Sequence, residues 1–161
     1  MDLVRNMIEL DQFDLKLLAA LQEDASQTNQ ELGEVIHLSA SQVSRRRTRL
    51  EQERVIRRYK ADLSPEYLGL DVMAFVGVAL ATHNKENSRL FRDLVRTIPS
   101  VQEAYAMTGD MDYMLKIRVK DLKALGEVIN NELLPHESVQ NVRSSISMET
   151  LRDDNHLPLG G

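Results

Sequence analysis

The chain has 161 residues, a net charge of −5 and 42% hydrophobic content, enough for one domain or two small ones, with no apolar run long enough to span a bilayer. It has no cysteine, which excludes a disulfide framework, a thiol nucleophile and a cysteine-ligated zinc; with no Trp and few other aromatics, a stacking platform for single-stranded nucleic acid is not expected. The opening residues MDLVRNMIELDQFD do not follow the basic-then-apolar plan of a secretory signal, so a cytoplasmic setting is expected.

Residues 11–23 place Phe13, Leu17, Leu18 and Leu21 on one helical stripe, capped by Asp11 or Asp14 and ended by Asp24-Ala25-Ser26. A second helix is predicted from Thr28, where Thr28 and Glu31 form a capping box and Leu32, Val35 and Ile36 face inward. A third starts at Ser39, boxed by Gln42, with Val43 and Leu50 inward and Val55 beyond its end. Two capped helices about a turn at His37-Leu38, preceded by a supporting helix, follow the helix-turn-helix plan.

Charge singles out the third helix. Residues 39–60 hold eight Arg and Lys against Glu51 and Glu53, a local balance of +6 on an acidic chain. Such a patch on a helix-turn-helix points to double-stranded DNA. In that plan the second helix of the motif enters the major groove by its N-terminal end, here Ser41, Gln42, Ser44, Arg45 and Arg46. Gln suits adenine and Arg guanine, because each offers a paired hydrogen-bond geometry. Arg49, Arg57, Arg58 and Lys60 fit phosphate contacts, which position without reading. Arg47, four residues after Val43 and three before Leu50, points partly inward and is expected to pack rather than read.

Residues 55–63 are expected as a linking strand or hinge, punctuated by Ser64-Pro65-Glu66. Then follow a strand (72–80, apolar on both sides), a helix (86–98), a strand (101–107), a turn at Thr108-Gly109-Asp110, a strand (113–119), a helix capped by Asp121 with Leu122, Leu125, Ile129 and Leu133 inward, and a strand (139–148). This order predicts an α+β protein. An N-terminal three-helix helix-turn-helix domain (1–54) is followed by a linking strand and hinge (55–70), a ferredoxin-like βαββαβ domain (71–150) and a C-terminal tail (151–161). One sheet face would stay open, and its apolar side chains favour cover by a second subunit.

The most polar feature of the second domain is TGDMDY, residues 108–113. In an extended stretch Asp110 and Asp112 would share a side, able to hold an ammonium group while turn amides receive a carboxylate. From the residues alone, a plain hairpin turn is the readier explanation of Gly-Asp. Calcium is not expected, because Met114 stands where an oxygen ligand is needed, and the four His have no metal-ligand spacing. No phosphate loop, dinucleotide fingerprint or nucleophile elbow is present, so neither an enzyme nor a cofactor is expected.

LDQFDLKLLAALQEDA, ELGEVIHLSASQVSRRRTRLEQERVI, LGLDVMAF, TGDMDYML and LLPHESVQNVRSSISM, in this order and spacing, resemble the Lrp/AsnC (feast/famine) family of transcription regulators. The resemblance implies a DNA-binding helix-turn-helix, a linking strand and an ACT-like sensing domain. It also implies dimers, often built into octamers, with an amino acid or related metabolite bound between sensing domains. By it Thr108, Gly109, Asp110 and Asp112 belong to the effector loop, with Ser144 or Ser145 lining the pocket. His37 and Arg54 replace frequent glycines of the family, and Arg47 a commonly aliphatic residue. The alternatives are a metabolite-binding module acting on a protein partner and a DNA-compacting architectural protein.

Overall fold

A computed structural model describes residues 8–159. The N-terminal residues 1–7, part of the stretch read above for a secretory plan, and the last two residues of the tail lie outside the described residues. The chain forms two compact units, one of the residues up to Asp62 together with those from Asp153 onward, the other Leu63–Arg152.

The first unit contains α1 (Gln12–Glu23), α2 (Asn29–Ile36) and α3 (Ala40–Gln52). Each begins at a reciprocal capping box: Asp11 with Asp14, Thr28 with Glu31, and Ser39 with Gln42. Three short helices have many unpaired amide groups for their length, and the boxes satisfy the first of these locally. Leu17, Leu21, Leu32, Ile36, Val43 and Leu50 form the core, with Val55 and Ile56 against it.

Val35, expected inward, is 62% exposed, and Gly33 is buried in its place. The α2–α3 turn folds back over Gly33, and a Cβ there would stand 2.4 Å from the Leu38 carbonyl oxygen. That close approach rotates the inward face of α2 away from Val35. His37 closes the helix in the left-handed region (φ 59°, ψ 47°), and the Leu38 amide donates to the Gly33 carbonyl at 2.9 Å. Arg54 also takes a left-handed φ of 57° after α3. Both positions demand what glycine supplies most cheaply, and the turns form without it.

Residues 55–63 form no strand. A strand requires a neighbouring edge for its backbone groups, and this segment pairs with none among the described residues. The last residues return to the first unit. The Gln22 side-chain amide accepts from the Leu157 amide (2.7 Å) and donates to its carbonyl (3.2 Å), and His156 Nδ1 lies 3.4 Å from Glu23.

The second unit opens with a 3-10 turn (Glu66–Leu68) and runs β1 (Val72–Leu80), α4 (Lys85–Thr97), β2 (Val101–Ala106), β3 (Tyr113–Val119), α5 (Leu122–Glu127, continued by a π-helical Val128–Leu133) and β4 (Val139–Ile146). The sheet is antiparallel in the order β2-β3-β1-β4, the βαββαβ arrangement expected. Ala74, Val76, Val78 and Leu80 of β1 and Tyr113, Leu115, Ile117 and Val119 of β3 face Phe91, Leu125, Val128 and Leu133 of the helices. Leu122, expected in this core, is 60% exposed. It starts α5, and the π-helical turn that follows brings Val128 inward instead. Buried Asn87 ties the start of α4 to the loop before β4, donating to the Thr82 and Ser138 carbonyls (3.0 and 3.1 Å).

Candidate nucleic-acid interface and effector loop

The expected DNA-facing residues divide into three groups by what already holds them. Ser41, Ser44 and Arg45 are exposed along the first two turns of α3, and Arg45 makes no ion pair among the described residues. The Ser41 Oγ lies 3.1 Å from that of Ser39 in the cap. Gln42 is partly engaged. Its Oε1 accepts from the Ser39 amide and hydroxyl, both at 3.0 Å, which leaves its NH₂ as the free half of an adenine-reading pair.

Arg46 is the most firmly held of the expected readers. Expected among the base readers, it instead donates to Asp11 Oδ2 (2.7 Å) and Asp14 Oδ1 (2.8 Å), and its guanidinium lies 5.5 Å from the Phe13 ring centre. Arg49, expected as a free phosphate contact, donates to Asp14 Oδ2 at 2.5 Å with its side chain 44% exposed. Asp14, only 1% exposed, also accepts from the Asp11 amide through its capping box. One buried carboxylate thus accepts from the Asp11 amide and binds two arginines of α3. The Asp14 amide, and then Arg46, hold the Asp11 carboxyl below its ordinary range, while Asp11 and Asp14 raise Arg46. Phe13, expected on the inward stripe, is exposed, with the Arg46 guanidinium over its ring. The sequence offered Asp14 only as an alternative cap; its link to residues 32 and 35 positions later leaves no local pattern.

Arg47 packs as expected, though against a partner not foreseen. Its Nε donates to the Tyr59 hydroxyl (2.8 Å), its guanidinium lies 4.7 Å from that ring, and Glu51 is 3.4 Å away. Arg57, Arg58 and Lys60 are exposed and make no ion pair among the described residues. The unit therefore presents free cations at both ends of α3, with bound arginines between them.

In the second unit, Thr108, Gly109 and Asp110 form an exposed bend between β2 and β3, with Gly109 at φ 120°. The bend means that Asp110 and Asp112 do not lie in the extended stretch that would place them side by side. Asp112 is instead engaged at the end of β1: its Oδ2 accepts from the Leu80 amide (2.8 Å), its own amide donates to Val78 (3.0 Å), and Oδ1 lies 3.2 Å from His83 Nδ1. Met111 covers Gly77 on the sheet face away from the helices; a Cβ at Gly77 would be 2.9 Å from its Cγ. Beside the loop an open cleft of ≈ 650 Å³ is lined by His83, Lys85, Ser88, Arg92, Asp112 and Tyr113 among others. His83, Lys85 and Arg92 carried no signal at the level of sequence. Ser144 and Ser145 stand opposite Val76 and Phe75 across β1, so they point to opposite sheet faces, and both are exposed. The sheet face away from the helices carries Phe75 (42% exposed), Tyr105 and Met73 with Lys116 and Arg118.

Among the described residues no group of His, Asp and Glu is arranged to hold a metal ion, and no helix is long and apolar enough to cross a membrane.

Comparison with known proteins covers almost the whole chain. Residues 10–51 match the AsnC-type helix-turn-helix domain, and residues 73–157 match the Lrp/AsnC ligand binding domain. The leucine-responsive regulatory protein of Rhizobium meliloti is 34% identical over 146 residues, 91% of this chain and 94% of that protein. The transcriptional regulator AzlB of Bacillus subtilis is 34% identical over 152 residues, 94% of this chain and 97% of that one. A transcriptional regulator from Neisseria meningitidis, solved as a complex with L-Met, superposes with a TM-score of 0.90 at 36% identity, covering 94% of this chain and 97% of its own.

Proposed function

The chain belongs to the Lrp/AsnC family of transcriptional regulators, and from that premise we propose that it reads duplex DNA with the exposed N-terminal half of α3 and responds to an amino acid through its second unit. The family is one of regulators, not enzymes. The observation that carries the DNA reading is the set of exposed, unpaired cations on both sides of the bound arginines: Arg45 on α3, then Arg57, Arg58 and Lys60 after it, on a chain of net charge −5. Ser41, Ser44, Arg45 and the free amide of Gln42 are the base readers in this reading. Arg57, Arg58 and Lys60 take phosphates, Arg49 adds its exposed edge, and Arg46 sets the angle of α3 rather than touching a base.

The L-Met bound by the Neisseria regulator supports an amino-acid effector. Thr108, Gly109, Asp110 and Asp112 are the loop proposed to meet it, with Ser144 or Ser145 contributing from β4. The open sheet face with Phe75 and Tyr105 supports a homodimer; assembly of dimers into an octamer, and action in the cytoplasm, are proposed from the family resemblance alone. Bound ligand shifts the assembly only by binding one arrangement better than another, which changes the spacing of paired α3 helices.

Duplex binding measured by polarisation across a salt series, with and without each proteinogenic amino acid, tests both halves. The DNA reading expects log K to fall linearly with log salt. If binding is salt-insensitive the DNA reading fails, and if no amino acid alters affinity or sedimentation the effector reading fails. Strong binding without sequence preference would favour the compacting alternative.

A further inference from the structure

Arg57, Arg58 and Lys60 lie after α3 on a segment that has almost nothing to hold it. The Ile56 amide donates to the Leu50 carbonyl (3.0 Å), and no further backbone–backbone hydrogen bond forms among the described residues before the 3-10 turn, where the Leu68 amide donates to Pro65. What fastens the stretch is a side chain. The Tyr59 hydroxyl accepts from Arg47 Nε and donates to Glu51 Oε1, each at 2.8 Å, and the Arg47 guanidinium stacks on the ring. Arg47 and Glu51 are one turn apart on α3 and 3.4 Å from each other, so the three side chains close a ring. Burial first, and then Glu51, raise the Tyr59 hydroxyl above its ordinary value; a phenol is protonated at neutral pH with or without that shift, and so is able to donate. The ring also occupies Glu51, one of two acids in the basic stretch, and so softens its repulsion of phosphates.

We propose that Tyr59 is a positioning residue for the DNA-binding surface: with Arg47 and Glu51 it fastens the segment after α3 to that helix and presents Arg57, Arg58 and Lys60 as one preordered strip. The proposal rests on the duplex-binding reading above. Arg47 then serves DNA binding without touching DNA, which accounts for a fourth arginine among the closely spaced cations of α3.

The test uses the full chain and a mixed-sequence duplex of about 40 base pairs, because phosphate binding needs no operator. Tyr59→Ala is expected to weaken binding roughly fivefold or more at fixed salt, since the loosened cations must be ordered on binding. The slope of log K against log salt stays that of the wild type, because the same cations release the same counterions. Tyr59→Phe keeps the stacking, loses both hydrogen bonds and falls between. Arg57→Ala with Arg58→Ala, by contrast, reduces the slope by about 2. In the free protein the Arg47 Nε–H resonance moves in Tyr59→Ala. Should the alanine variant prove less well folded by its thermal midpoint, the phenylalanine variant carries the comparison. Wild-type affinity in Tyr59→Ala, a fallen slope, or an unmoved Arg47 resonance each overturns the proposal. Salt-insensitive binding by the wild type overturns the DNA reading itself, a separate result.

Discussion

In the helical unit six buried apolar side chains surround a structure whose most deeply buried polar group, Asp14, is bound to two arginines. In the sheet unit thirteen buried residues close over one another, and the buried polar groups beside them, Asn87 and Ser138, are neutral. The larger core can define its geometry by packing alone, because interlocking shapes leave little freedom. Six side chains on three short helices define it less well, and the Asp14 pair supplies directed bonds between α1 and α3. Withdrawing charge from water is costly, so such a pair adds less net stability than its geometry suggests, yet breaking it is severe because the partners are left unmatched. The unit that must hold a reading helix at one angle is the one that uses oriented charge.

The sharpest way to break this contrast is to open each core. Phe91→Ala removes a fully buried ring that packs tilted against Tyr113, centroids 4.6 Å apart, and is expected to destabilise the sheet unit by about 4 kcal/mol, read by urea unfolding. Asp14→Ala takes away Arg49's acidic partner and one of Arg46's two, and removes the reciprocal half of the α1 cap. A loss of about 3 kcal/mol is expected in the helical unit. Asp14→Asn, which can still accept from the Asp11 amide, should recover part of that loss. A mild effect of Asp14→Ala would mean the small core defines α3 unaided.

Weaker effects separate reading from holding. Arg45→Ala is expected to cost about 2 kcal/mol of duplex binding while changing stability by less than about 0.5 kcal/mol. Arg46→Ala should show the reverse emphasis, its stability loss exceeding any loss of base discrimination. Equal discrimination losses from both would return Arg46 to the readers.

The smallest effect concerns acid. Asp11 and Glu31 are held below their ordinary values of 3.8 and 4.5, each first by a backbone amide of its own capping box. A carboxyl with a lowered folded value contributes stability that is complete above its ordinary value and is lost as pH falls through the folded one. Thermal midpoints of the helical unit should therefore fall below about pH 4.5. Glu86, lowered by Arg89, gives the sheet unit a share of the same trend. Asp11→Asn should flatten the helical unit's dependence; an unchanged slope would remove the Asp11 cap from the account.

Most of the fold was legible because its cues are local. Capping boxes at Thr28 and Ser39, and an aspartate cap at Asp11 or Asp14, name helix starts within four residues, and the alternation of Tyr113, Leu115, Ile117 and Val119 names a strand and its buried face. The candidate interface was legible as a charge cluster, and Arg47 as its inward member. What the sequence by itself determined was therefore which segments become helix or strand and where positive charge gathers, since both depend on neighbours along the chain. Only the tertiary structure decided what each arginine does. Asp14 meets Arg46 and Arg49 across more than thirty residues, Tyr59 meets Arg47 across twelve, and the Leu38 carbonyl over Gly33 turns Val35 outward. Guanidinium groups are chemically alike along a helix, and only the fold's choice of which meets a carboxylate, a ring or water tells them apart.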